Sequence, residues 1–332
     1  MKITAFCAGR RNGNTEILLK EALAGAQELG AEVEFIRLND FELHNCSSCG
    51  QPSCMMSRLG PDKCIYKDDA EFLINHYLDS DGVLFGASVY SCTPNSLFFA
   101  MRDRLFGPKM DVAQLKQIPP WYEGRVKRRP TAAISVGGAV AEHWTAFGLP
   151  CLLMADFSAG SDHVDMMNVT KVAAQGAIVL REDLIERAHQ LGRHVAEAVL
   201  TGDHRWRGNQ EGTCPSCHLN LLLTHPGTNE ITCPVCGIYG HYEVDEKGIV
   251  KTVWPEDDAH RRENHFTPEG LAAHLEEIDE VVKELLPKKD QIPEKMQKYK
   301  DWTTYDVKSP YRAAKKEATR KALMEQHGKQ AQ

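Results

Sequence analysis

Three absences narrow the field before any motif is considered. No apolar run in the 332 residues approaches the roughly 18 that a membrane-spanning helix needs, so no membrane association is expected. There is no surplus of basic charge. The formal net charge is -7, which argues against generic nucleic-acid binding. No internal repeat is present, which removes solenoids and propellers from consideration. The apolar stretch from Met1 to Gly9 is too short for a signal peptide and leads straight into a glycine loop. The expected compartment is therefore the cytoplasm, where thiols stay reduced.

What the chain has in surplus is cysteine. Eight of its eleven cysteines fall into two compact quartets. Cys214, Cys217, Cys233 and Cys236 form C-x2-C-x15-C-x2-C, a zinc-ribbon spacing. Four protein thiolates leave no open coordination position, so a structural zinc is expected there. The nearby His218, His225 and His241 read as surface or packing residues. Cys46, Cys49, Cys54 and Cys64 crowd a second stretch of nineteen residues. Four thiolates on one loop can hold a 4Fe–4S cluster. A structural zinc and a metal-free loop of redox-active thiols are the alternatives.

The order of elements predicts an α/β domain. Strands are expected over 2–8, 31–38, 82–87, 131–136 and 164–169, and helices over 15–29, 68–78, 95–105, 142–156 and 182–200. Strict alternation implies a doubly wound, five-stranded parallel sheet with helices on both faces, covering residues 1–202. Residues 203–254 read as a zinc-ribbon module. Residues 255–332 read as a helical C-terminal extension that opens with an acidic amphipathic helix, Thr267 to Leu286. From Pro287 onward the tail carries twelve basic and six acidic residues, which suits either an acidic partner subunit or a solvated helix.

The first strand runs into Gly9-Arg10-Arg11-Asn12-Gly13-Asn14-Thr15 and then a helix. Backbone N–H groups in such a turn, with the helix N-terminus, suit a phosphate. Arg10 adds charge, and Asn12, Asn14 and Thr15 add donors. The loop is neither G-x-G-x-x-G nor a Walker loop, so neither dinucleotide nor nucleoside-triphosphate binding follows.

This loop, the segment C-x2-C-x4-C-x9-C followed by Asp68-Asp69, the run Gly86 to Tyr90 followed by Asn95-Ser96 and Arg102-Asp103-Arg104, and Ser135-Val136-Gly137-Gly138 with Glu142 and Thr145 beyond share one resemblance. Together they resemble the flavodoxin-like NAD(P)H-dependent FMN reductases, and especially the iron–sulfur flavoproteins among them. The resemblance covers about residues 1–200. It implies that Arg10, Asn12, Asn14 and Thr15 hold the FMN phosphate. It implies that Ala87, Ser88, Val89, Tyr90 and Ser91 line the ribityl chain and ring, and that Gly137 and Gly138 let backbone approach the ring edge. Tyr90 would border the flavin, or serve as a buried aromatic at a loop end. His143 is a candidate proton donor. Two departures imply an altered pocket: Ser88 where the family commonly has proline, and Ala139-Val140-Ala141 where it has more glycine.

The expected activity is an FMN-dependent transfer of electrons to a small organic acceptor, quinone- or nitroaromatic-like. The electrons would come from NAD(P)H or a ferredoxin-like iron–sulfur carrier. A homodimer or homotetramer is expected by the same resemblance. The alternative is a non-catalytic iron–sulfur flavoprotein that carries electrons or senses redox state.

Overall fold

A computed structural model describes residues 1–47, 49, 64–106, 123–209, 212–255, 262–302, 309 and 311. The chain divides into two units, Met1–Glu276 and Glu277–Gln332. In the first, β1 (Lys2–Ala8), β2 (Glu32–Arg37), β3 (Gly82–Tyr90), β5 (Arg129–Val136) and β6 (Ser161–Val169) form a parallel sheet in the order β2-β1-β3-β5-β6. With the interposed hairpin strand set aside, this is the 2-1-3-4-5 order of flavodoxin-like folds. The sheet has six strands rather than the five expected, because β4 (Thr93–Pro94) folds back antiparallel on β3.

Both faces of the sheet are covered, which is why its central strands β1, β3 and β5 are buried almost throughout. Ile3, Ala5 and Cys7 of β1 pack with Leu18, Leu19 and Leu23 of α1 (Asn14–Glu28) and Leu191 and Val195 of α5 (Glu182–Thr201). Phe6 and Ala8 point the other way. They join the core of α2 (Ala70–Asp79), α3 (Ser96–Leu105) and α4 (Gly148–Leu153). Helices α1 and α5 approach closely at Gly192, where a Cβ would lie 1.7 Å from the Ala22 carbonyl oxygen.

The helix expected over 142–156 is broken. A 3-10 turn (Glu142–Thr145) precedes α4, and a second (Phe157–Ala159) follows it. Pro150 explains the late start of α4. It is tolerated in a first turn, but deeper in a helix it would clash with the carbonyl four residues before it.

Residues 212–255 form a small antiparallel sheet of β7 (Leu223–Thr224), β8 (Glu230–Thr232), β9 (Tyr239–Val244) and β10 (Val250–Val253), in the order β10-β9-β8-β7. Its cysteines and Leu219, Val235 and Ile238 belong to the same core as α2, α3 and α4. Helix α6 (Pro268–Leu285) crosses the division between the two units. In the second unit, α7 (Ile292–Lys300) has no buried side chain. Among the described residues no helix is long and apolar enough to cross a membrane.

Candidate functional site

Three loops leave the carboxyl ends of adjacent strands β1, β3 and β5, where doubly wound folds place their ligands. The first is Gly9 to Gly13. It is tight: a Cβ at Gly9 would lie 2.8 Å from Thr15 Cβ, and one at Gly13 would lie 2.9 Å from the Arg10 carbonyl oxygen. Asn12 sits in the left-handed region at φ 55, which asparagine tolerates better than most residues. Helix α1 starts at Gly13 with no side-chain cap. Its first-turn N–H groups therefore face the loop without a side-chain oxygen from the cap position. Arg10 is exposed beside them, and Thr15 Oγ1 lies 3.1 Å from Ser88 Oγ of the second loop.

Asn14 has a different job from the one its position suggested. Its amide donates to the carbonyls of Val172 (3.0 Å) and Ala174 (2.9 Å), and its oxygen accepts from the Ile178 N–H at 3.2 Å. The side chain is thus spent on tying the phosphate-type loop to the segment after β6.

A buried acid braces the same loop. Glu16 takes two bonds of 2.9 Å from Arg37 on β2, one of 2.6 Å from Lys20, and the Asn12 N–H at 3.0 Å. Arg37 continues to Asp40, and Arg11 pairs with Asp40 at 3.0 Å. Asn39 donates to the Gly9 carbonyl at 3.1 Å. The Arg37 guanidinium, with Lys20 and the Asn12 N–H, holds the Glu16 carboxyl down from 4.5 to about 2. A depressed carboxylate stabilises the fold above its unfolded value and loses that effect as the pH falls through the folded value. Unfolding by urea is therefore expected to become easier as pH drops from 4.5 toward 2, and Arg37→Met should flatten that dependence.

The second loop is a hairpin. Tyr90 ends β3, Ser91 (φ 50) and Cys92 (φ 70) make the turn, and Thr93 pairs back with Tyr90. Two positive φ values match a type I′ turn, built here without glycine. Asn95 then caps α3, accepting from the Leu97 N–H at 3.1 Å, and its amide reaches the Ala8 carbonyl at the end of β1. Tyr90 is 64% exposed, so it stands at the mouth of the site and is not a buried loop-end aromatic. Ala87 is buried, and Ser88 and Val89 are half-buried.

In the third loop Gly137 is buried and Gly138 exposed. Thr145 packs on Gly137 so closely that a Cβ there would lie 2.3 Å from its methyl group. His143 and Trp144 follow on the exposed 3-10 turn, their ring centres 5.3 Å apart. Beside them lies a cleft of about 260 Å³ between this turn and the ribbon.

The ribbon thiols converge. Cys214 and Cys236 sulfurs are 3.4 Å apart, Cys217 and Cys233 sulfurs 3.5 Å, and all four are buried within 4.8 Å of one another. A disulfide would need about 2.05 Å. A tetrahedral zinc with bonds of about 2.3 Å sets its sulfurs about 3.8 Å apart, so the group fits a metal ion. The two knuckles are built alike. Gly237 (φ 89) follows the second, and His218 (φ 57) takes the equivalent place after the first. His218 stacks on Trp206 at 4.1 Å, which makes it a packing residue.

Of the first quartet, Cys54 lies outside the described residues. Cys46 and Cys49 are exposed and Cys64 is half-buried. The segments around them are pinned by Arg104, which makes two 2.8 Å bonds to Asp68 and donates to the His44 carbonyl at 2.7 Å. The ring of His44 stacks on Tyr66 at 4.8 Å.

The fold is flavodoxin-like, and residues 1–148 match the family of NADPH-dependent FMN reductases, which makes the chain an FMN-dependent oxidoreductase. The flavone synthase cfoJ of Aspergillus candidus is 26% identical over 292 residues, 84% of this chain and 89% of its own. An iron–sulfur flavoprotein of Methanocaldococcus jannaschii is 38% identical over 91 residues, 27% of this chain and 44% of its own. Among solved structures, a flavone reductase is similar at a TM-score of 0.73 and 25% identity, covering 93% of this chain and 100% of its own. The resemblance read from the loops is thereby borne out.

Glu16, Arg37, Asn39 and Asp40 were missed as parts of the site. Glu16 carried a signal, an acid inside the apolar stripe of a helix that packs on the sheet. Asn39 and Asp40 carried none.

Proposed function

We propose that this protein uses FMN to move a hydride between NAD(P)H and the carbon–carbon double bond of a planar aromatic ketone of the flavone type. The observation that carries this reading is extent. The flavone reductase and the flavone synthase are similar over 93% and 84% of the chain, whereas the iron–sulfur flavoprotein matches 27% of it. The two names describe opposite directions across one conjugated bond. In the reducing direction NAD(P)H, a proton and the unsaturated ketone become NAD(P)+ and the saturated ketone.

The residues fit FMN. The uncapped start of α1, Arg10, Asn12 and Thr15 with Ser88 would hold its phosphate, while Asn14 keeps the loop in shape. Ala87 to Ser91 would line the ribityl chain and ring, and Gly137 and Gly138 would leave space at the ring edge. When bound, FMN would supply a two-electron carrier between nicotinamide and acceptor. Tyr90 would border the ring and help exclude water. His143 would deliver the proton that the substrate carbon needs once hydride has arrived. Tyr90, Val140, Trp144 and Phe147, on or just after the second and third loops, are all exposed, which supports completion of the site by a second copy in a homodimer or homotetramer. The domains would be the flavin domain 1–202, a zinc ribbon 203–254 and the extension 255–332.

The iron–sulfur relative supports a second reading, a carrier or sensor fed by a ferredoxin-like donor through a 4Fe–4S cluster on Cys46, Cys49, Cys54 and Cys64. Anaerobic protein reconstituted with FMN and NAD(P)H separates the two. Loss of the conjugated absorbance of an added flavone at catalytic turnover is the expected result. Flavin that NAD(P)H bleaches but that leaves flavones intact, while reducing a quinone or nothing, would sink the flavone reading.

A further inference from the structure

The cleft beside His143 is walled on its far side by the ribbon. Glu142, His143, Thr145 and Asn168 come from the flavin domain; Leu219, Asn220 and Leu221 come from the segment just after the first metal knuckle. Thr145 joins this cleft to the third loop, since its methyl group packs on Gly137 while the residue lines the cleft. A molecule lying along Gly137 and Gly138 could therefore extend into it.

The volume of about 260 Å³ falls just below the roughly 300–1,000 Å³ of pockets that enclose whole ligands. It suits one end of a larger molecule. Its chemistry is mixed. Leu219 and Leu221 offer apolar surface to the face of a ring, and Leu149 and Pro150 add to it. Asn168 donates its amide to Thr145 Oγ1 at 2.9 Å, which leaves its oxygen buried with no partner. Asn220 accepts twice from Thr213, through its N–H at 2.7 Å and its hydroxyl at 2.8 Å. Its oxygen is thereby occupied, which leaves the amide hydrogens as the side chain's remaining groups for hydrogen bonding. A partly apolar cleft lined by Asn168, whose oxygen is unpaired, and by Asn220, whose amide hydrogens remain, suits a ring carrying a hydroxyl group.

We infer that the metal ribbon is a wall of the acceptor pocket, and that Leu219, Asn220 and Leu221 hold a hydroxylated aromatic ring of the acceptor opposite His143 and Asn168. This rests on the proposed function and gives the ribbon a role in substrate choice beyond stapling the chain. Leu219 is anchored two residues past Cys217, and the Cys214 N–H donates to its carbonyl at 3.1 Å. The wall is thus set directly by the knuckle.

The test compares acceptors of two sizes in the full-length, FMN-loaded protein. A hydroxylated flavone carries a second ring that could enter the cleft from the third loop; 1,4-benzoquinone has only one ring. Leu221→Ala should raise the flavone KM about tenfold more than the benzoquinone KM, the discrimination that a few methylene groups supply. Leu221→Met, which conserves volume, should restore most of the ratio. Asn220→Asp keeps both acceptor bonds to Thr213 but removes the amide donors, and should also raise the flavone KM selectively. An unchanged ratio in Leu221→Ala and Asn220→Asp, with flavin content and melting temperature intact, would overturn the inference. So would a parallel rise in both KM values. Failure of the wild-type protein to reduce the flavone at all would instead count against the proposed function.

Discussion

Exchange of Cys233 for serine is expected to empty the ribbon of metal and to loosen more than the ribbon. The four sulfurs are buried at distances that fit one tetrahedral ion, and a fourth oxygen ligand on a serine would have to lose its proton to bind. Structural zinc sites contribute on the order of 10 kcal/mol to the folding of small modules. Without the ion, three thiols and the serine hydroxyl would crowd that buried space. Cys214, Cys217, Cys233 and Cys236 share their core with Phe6 and Phe85 of the central strands and Leu149 and Leu152 of α4. Loss of the ribbon would therefore strip cover from one face of the main sheet. The expected outcome is a metal content falling from about one ion per chain to near zero, and a melting temperature lower by more than about 10 °C. Elemental analysis beside thermal denaturation checks both. Full metal content in Cys233→Ser would mean that the ion sits elsewhere.

The second large effect concerns Arg104. Its side chain and that of Asp68 are 2% and 1% exposed, and the two 2.8 Å bonds between them are parallel. Burial opposes ionisation of Asp68, yet Arg104 and the N–H groups of His44 and Ala70 hold its carboxyl well below the usual range. Removing one partner of such a pair leaves an uncompensated charge, which costs about 3–5 kcal/mol. Arg104→Met should lose that much by urea denaturation. The double variant Arg104→Met with Asp68→Leu should recover a large part, because no buried charge remains. The same pair fixes residues 44 and 68 on either side of the first cysteine quartet. Proteolysis between them should accelerate in Arg104→Met and not in a surface variant such as Arg205→Ala.

The parallel sheet was legible because its central strands β1, β3 and β5 are buried on both faces and read as apolar runs, each followed by a glycine-bearing or polar loop. The three loops were legible because each follows such a run. The hairpin at Ser91-Cys92 was not, since neither residue is the glycine or asparagine that usually marks positive φ. The break at 142–156 was written in Pro150, whose cost depends on its place within a helix and so on where the helix begins. Asn14 shows a deeper limit. Its residue type and position both suit a phosphate, yet its partners lie about 160 residues away, and nothing local announces them. The ribbon was plain from four cysteines, whereas its place beside His143 depends on packing between modules that spacing does not encode.

That long-range clamp has a consequence for the way the protein is made. Ile178 leaves the ribosome 164 residues after Asn14. At roughly 5–20 residues per second, synthesis leaves the first loop without its clamp for about 10–30 s. The strand, the helix and the Glu16–Arg37 brace can form early, but the Asn14 tether to the segment after β6 waits until the final crossover docks. A nascent chain is therefore expected to capture its flavin only late in translation, when the rest of the sheet is already in place.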